Sequence, residues 1–203
     1  MMPRLAAALI AIVCWAGLAV QFSATYGNQH DVLESLWVLA RFFTIITNVL
    51  LAVTMTWAAT GGRVPAIVLG GLTLAILLVG VIYATLLQNL YHLSGAAHVA
   101  DILLHKASPA LMALWWLLFA PRKRLKWSAP LWWSLYPLGY LAYVLGRARL
   151  DGRYPYPFID LGRLGWLQTA LNSGGLALAF ILAGLALVWI DSWRPLGSGR
   201  SSR

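Results

Sequence analysis

Three side chains in this sequence have types and spacings that could do chemistry together: Thr44, Asp101 and His105. Asp101, His105 and Lys106 stand inside residues 99–117, VADILLHKASPALMALWWL, a run otherwise apolar enough to cross a bilayer. Ionisable groups at bilayer depth are costly, so they commonly mark a working site. Asp101 and His105 are four residues apart, hence on one helical face. Pro109 follows His105 by four and has no N–H for that residue's carbonyl, which is expected to be left open for a side chain, water or substrate. In residues 37–53, WVLARFFTIITNVLLAV, the positions Arg41, Thr44 and Asn48 are spaced by three and four, so they line one helical face. A threonine hydroxyl needs an adjacent base to become a nucleophile. A histidine can be that base, and a carboxylate on its other ring nitrogen fixes the tautomer. Asn48 could donate to a developing oxyanion. The plain structural alternative is that the His–Asp pair, the threonine and the asparagine simply hydrogen-bond neighbouring helices together.

The elements that must position these groups are membrane helices. The 203 residues are 61 % hydrophobic and only 10 % charged, against about 25 % charged in soluble domains. An all-α integral membrane bundle is expected, with six transmembrane helices near residues 5–20, 36–59, 65–87, 99–120, 131–145 and 169–190. Residues 1–193 would form one six-helix domain, and 194–203 a short disordered tail. The first run also resembles a signal peptide, but an uncleaved helix fits the external loop that follows better. Arg4, Arg63, the Arg122, Lys123, Arg124 and Lys126 cluster, and Arg194, Arg200 and Arg203 all fall on one side, which the positive-inside rule makes cytoplasmic. The net charge of +9 is therefore read as topology rather than nucleic-acid binding. Residues 21–35 and 88–98 lack Lys and Arg and face outward. Thr44 then lies ~12 Å along the second helix from Leu36, and His105 ~9 Å along the fourth from Val99, at similar depth in the outer half. The single cysteine, Cys14, excludes a disulfide framework and a cysteine metal site. Eleven tryptophans suit interfacial belts, Trp115, Trp116, Trp127, Trp132 and Trp133 among them.

Further polar groups gather at the outer side. Tyr136, Tyr140 and Tyr143 line one face of the fifth helix with Arg147 a turn on, and Gln168 and Asn172 face together early in the sixth. Arg147, Arg149, Arg153 and Arg163 lie in or beside the connecting loop, against the topology rule, and suit lipid headgroups or an anionic ligand. The loop RYPYPFIDLGRLGW is stiffened by two prolines among aromatics, as a cover for the bundle mouth or an interfacial anchor. Gly175, Ala179 and Ala183 form a small-residue stripe suited to helix packing. Arg41, Asn48, Tyr140, Arg153 and Asn172 are candidate substrate-binding residues. An alternative metal reading uses His98, Asp101 and His105, one face at i, i+3, i+7, with His92 in reserve. Haem is disfavoured, because only His105 lies well inside a helix.

Three motifs occur in order along the chain: FFTIITN on the second helix, LLHKASP on the fourth and YPYPFID before the sixth. Together they resemble the androgen-induced and androgen-dependent family of small multi-pass membrane proteins and its bacterial relatives. The resemblance covers most of the chain, and YPYPFID is its most specific part. Animal members are described as threonine hydrolases of fatty-acid esters of hydroxy fatty acids. The resemblance implies Thr44 as nucleophile, with Thr47 the local competitor, and His105 as the histidine; the spacing from His105 to Pro109 is one residue shorter than in the animal pattern. Asp101 comes from spacing, not from the motif.

These readings converge on a cofactor-independent hydrolase of lipid esters in the bacterial inner membrane, with a lipid as substrate and the bilayer as partner. A zinc-dependent membrane hydrolase and a non-enzymatic transporter or structural membrane protein are the alternatives. The lack of a visible inverted repeat weighs against transport.

Overall fold

A computed structural model describes residues 1–88, 90 and 93–193. Among these residues every regular element is a helix: α1 (Met2–Gln29), α2 (Val32–Leu39), α3 (Phe43–Ala59), α4 (Ala66–Ile82), α5 (Gly95–Ile102), α6 (Ser108–Phe119), α7 (Ala129–Asp151) and α8 (Leu161–Trp193). Two π turns, Tyr83–Leu87 and Leu103–Ala107, continue α4 and join α5 to α6, and a 3₁₀ turn covers Pro157–Ile159. His92 and the tail from Arg194 lie outside the described residues.

Among the described residues four helical segments are long and apolar enough to cross a membrane: Met2–Gln29, Ala66–Leu87, Gly95–Phe119 and Leu161–Trp193. The pair α2–α3 makes a fifth if it counts as one span, but it is bent by 98°. The expected continuous second helix is therefore corrected. Asp31 starts α2 by accepting from the Glu34 amide at 2.7 Å. The chain then leaves helical geometry at Phe42 (φ −92°, ψ 127°) before α3 begins. Arg41 lies in that break and Thr44 is the second residue of α3, so the shared helical face of Arg41, Thr44 and Asn48 reduces to Thr44 and Asn48. The first run is longer than expected, reaching a left-handed cap at His30. At 23 residues α7 is long enough to span. Its tyrosines, prolines and charged end, Arg147, Arg149 and Asp151, leave it less apolar than the others.

The chain divides into two compact units. The first holds Met1–Val64 and Ala75–Phe119. Here α1 lies along α3, α5, α6 and the second π turn. Gly17 makes that approach possible, since a Cβ there would stand 2.7 Å from the Leu104 side chain. The buried core includes Cys14, Leu51, Met55, Ile76, Leu104 and Met112. Trp115, placed in an interfacial belt from sequence, is instead buried and donates to the Pro3 carbonyl at 3.0 Å. Trp116 is buried as well.

The second unit holds Pro65–Leu74 and Ala120–Arg203. Trp133 is buried against Gly70 and Gly71 and donates to the Ile67 carbonyl at 2.8 Å, so it too leaves the belt, while Trp127 and Trp132 are exposed as expected. Asp191 accepts from the Arg124 and Leu125 amides at 3.0 and 3.1 Å, fastening the basic loop to α8. Gly175, Ala179 and Ala183, expected to serve helix packing, are exposed. Gly184 is the tight position, with Pro130 2.8 Å from where its Cβ would be. The YPYPFID loop lies against α8: Tyr156 and Phe158 stack at 5.2 Å, Ile159 is buried, and Asn172 donates to the Phe158 carbonyl at 2.9 Å.

Candidate active site

The first unit brings Thr44, Asp101 and His105 together although 57 residues separate the threonine from the aspartate. Thr44 Oγ1 lies 3.2 Å from His105 Nε2. His105 Nδ1 lies 3.1 Å from Asp101 Oδ1 and 3.3 Å from the Asp101 carbonyl oxygen. Both groups at Nδ1 only accept, so the ring proton belongs on Nδ1, and Nε2 is left as an acceptor for the Thr44 hydroxyl. Thr47, the local competitor, is fully buried on α3; it is the hydroxyl of Thr44 that reaches the imidazole. The His105 side chain is 20 % exposed against 6 % for Asp101, so the ring is the accessible member of the pair.

The local backbone explains how His105 is presented. In the second π turn the Ser108 amide bonds to the Leu103 carbonyl, one residue further back than in an α-helix. Pro109 has no N–H for the next carbonyl, that of Leu104. Side chains fill the vacancy: Asn48 Nδ2 donates to Leu104 O at 3.2 Å, and Ser108 Oγ, which shares its one hydrogen with the nearer Asn48 Oδ1, stands 3.1 Å from it. The carbonyl that takes up the side chains is thus Leu104's, one residue before the one expected. The π turn adds a residue to the helix, and it is this turn that carries His105.

Asn48 is fully buried and fully used. Its amide nitrogen also donates to Thr44 O at 2.9 Å, and its Oδ1 accepts from Ser108 Oγ at 2.7 Å. Both donor hydrogens are committed to carbonyls, so the expected oxyanion or substrate contact from Asn48 is corrected. This residue ties α3 to the π turn.

Tyr83 belongs to the site and is missed by a reading of motifs and spacings. Its hydroxyl donates to Asp101 Oδ2, and its ring stacks on His105 with centroids 4.4 Å apart and planes at 22°. Lys106 Nζ stands 5.7 Å from the Tyr83 ring centroid. The signal was available: Tyr83 lies four residues, ~6 Å, before the outer end of the third apolar run, in the same outer half that the sequence reading gave to Thr44 and His105. Gly80 admits this approach, since a Cβ there would lie 3.1 Å from Pro109 Cβ and 3.4 Å from the His105 carbonyl.

The other candidates fall elsewhere. Arg41 is buried in the α2–α3 break. Tyr140, Arg153 and Asn172 belong to the second unit. There Tyr140 contacts Tyr143, whose hydroxyl accepts from buried Arg147 at 2.9 Å. Arg153 is exposed, with its amide on Asp151. Asn172 is committed on both sides, to Phe158 and to Gln168. The metal alternative is also corrected: among the described residues no three His, Cys, Asp or Glu side chains group as metal ligands. His98 is exposed while Asp101 and His105 turn inward to each other.

Comparison with family models, curated proteins and solved structures finds no match.

Proposed function

We propose that the protein is a membrane-embedded hydrolase of lipid esters, with Thr44 as nucleophile and His105 as general base and acid. One observation carries this reading: the Thr44 hydroxyl lies 3.2 Å from Nε2 of an imidazole whose Nδ1 faces a carboxylate. That is the relay a hydroxyl nucleophile requires. Thr44 Oγ attacks the ester carbonyl as its proton passes to Nε2. The tetrahedral intermediate expels the alcohol, which takes that proton, leaving an acyl-threonine. Water then attacks the acyl carbon, giving one proton to Nε2; collapse returns it to Thr44 and releases the acid. Because Thr44 is the second residue of the 17-residue α3, negative charge developing on the carbonyl oxygen would lie by the positive end of that helix dipole, a role the sequence had offered to Asn48.

The same proposal includes six crossings, with α2–α3 as the second and α7 as the fifth, the basic loops on the cytoplasmic side of a bacterial inner membrane, and a lipid substrate entering from the outer half. Its ester class follows the resemblance to the androgen-induced family, with fatty-acid esters of hydroxy fatty acids as the first substrates to try. The test is fluorophosphonate labelling and p-nitrophenyl ester hydrolysis in nanodiscs, comparing wild type with Thr44→Ala and His105→Ala. Each substitution should remove most labelling and turnover, and the double variant should be little worse than either single. Labelling and turnover that persist in Thr44→Ala would overturn the assignment.

A further inference from the structure

We propose that Tyr83 is a positioning residue of this site, holding the Asp101 carboxylate and the His105 ring in the one arrangement that leaves Nε2 free to take a proton. The inference rests on the hydrolase reading for its catalytic consequence and on geometry for its structural one.

Tyr83 is buried and engages both members of the pair at once. Its hydroxyl donates to Asp101 Oδ2 while Asp101 Oδ1 faces His105 Nδ1. A carboxylate held at both oxygens cannot rotate away from the imidazole. The ring of Tyr83 lies nearly parallel to that imidazole at 4.4 Å and covers one of its faces. Flipping the imidazole would turn Cε1 instead of Nε2 toward Thr44 and take Nδ1 away from Asp101, and a stacked ring opposes that movement. Lys106 stands 5.7 Å from the same tyrosine ring, as a cation–π partner.

The backbone is built to bring the tyrosine there. Gly80 lets α4 approach the Pro109 turn, as a Cβ there would press on Pro109 and the His105 carbonyl. Tyr83 follows three residues later on the same face and opens a π turn, in which the Gln88 amide bonds to the Tyr83 carbonyl at 2.8 Å. The two π turns of the described chain therefore carry Tyr83 and His105, and π turns inside helices are frequent at functional sites. A clamp acting through Asp101 also explains why a tyrosine stands where phenylalanine would pack as well: only the hydroxyl reaches the carboxylate.

The experiment compares wild type, Tyr83→Phe, Asp101→Asn and their double variant in nanodiscs, by p-nitrophenyl ester kinetics and by ¹⁵N NMR of the histidine rings, with His105→Gln assigning the His105 signals. Tyr83→Phe keeps the stacked ring and removes only the hydroxyl. Its kcat should fall roughly ten- to hundredfold, the loss expected from one hydrogen bond to a charged group, with KM changed by less than about twofold. The double variant should be no slower than Asp101→Asn, because Tyr83 acts through that carboxylate. The His105 spectrum should move from a single Nδ1–H tautomer to a mixture in Tyr83→Phe. Unchanged kcat with an unchanged tautomer would overturn the clamp, as would a double variant slower than Asp101→Asn by the full Tyr83→Phe factor. If wild type neither labels nor turns over, the hydrolase reading fails, and the tautomer comparison alone decides whether Tyr83 positions His105.

Discussion

Replacing Asn48 with alanine separates two roles that a polar residue beside a nucleophile can have. Asn48 makes three side-chain hydrogen bonds in a fully buried position: to Thr44 O at 2.9 Å, to Leu104 O at 3.2 Å and from Ser108 Oγ at 2.7 Å. At ~0.5–1.5 kcal/mol net per bond, Asn48→Ala should destabilise the fold by roughly 1.5–4.5 kcal/mol. Bilayer double-mutant cycles average ~0.6 kcal/mol per bond, which favours the lower part of that range, near ~2 kcal/mol. The Leu104 carbonyl keeps Ser108 Oγ at 3.1 Å, so it is not stranded. An oxyanion donor behaves differently: losing one lowers kcat by ~10²–10³ with little change in stability. Unfolding by steric trapping in bicelles should therefore show the stability loss. Ester hydrolysis well below the new unfolding midpoint should retain kcat within about tenfold of wild type. A kcat loss of ~10² or more at unchanged stability would refute the structural assignment and return Asn48 to the oxyanion.

Because the base is the neutral imidazole, turnover should rise with pH as His105 loses its proton and then level off; protonation of Nε2 removes the acceptor that Thr44 needs. Turnover that falls as the pH is raised from the acid side would exclude His105 as base. Treatment with EDTA should leave turnover unchanged, and loss that zinc restores would reinstate a metal mechanism. Gly80→Ala should lower turnover through displacement of Tyr83, since the new Cβ lies 3.1 Å from Pro109; wild-type turnover with an unchanged His105 spectrum would show that the turn yields instead. For topology, Ser94→Cys should label from outside and Ser198→Cys only from inside, against a background in which fully buried Cys14 stays silent.

The membrane class and the helical elements were legible in composition and apolar run length, because a bilayer leaves a spanning backbone few options and each demands a long apolar stretch. The pairing of Thr44 with His105 was legible too, from two polar groups at matching depth in separate runs. Everything that depended on how backbone hydrogen bonds close was not. The bend after Leu39 lies in a sequence, ARFF, without glycine or proline, so no local signal announces it. Pro109 signalled a missing donor, but which carbonyl lost its partner depended on a π turn that shifts the hydrogen-bond register by one residue. Asn48 looked like a donor to substrate because a sequence cannot say which acceptors lie across the helix interface; Leu104 O takes that donor, and it is 56 residues away. Trp115 and Trp133 have the chemistry of an interfacial residue and become core because Pro3 and Ile67 offer them carbonyls inside. Tyr83 carries no motif, and its place on His105 follows from a glycine three residues earlier that lets two helices approach. Residue type and depth are properties of one chain segment and can be read from it. The partner of each buried polar group is a property of two segments meeting, and only the tertiary structure decides it.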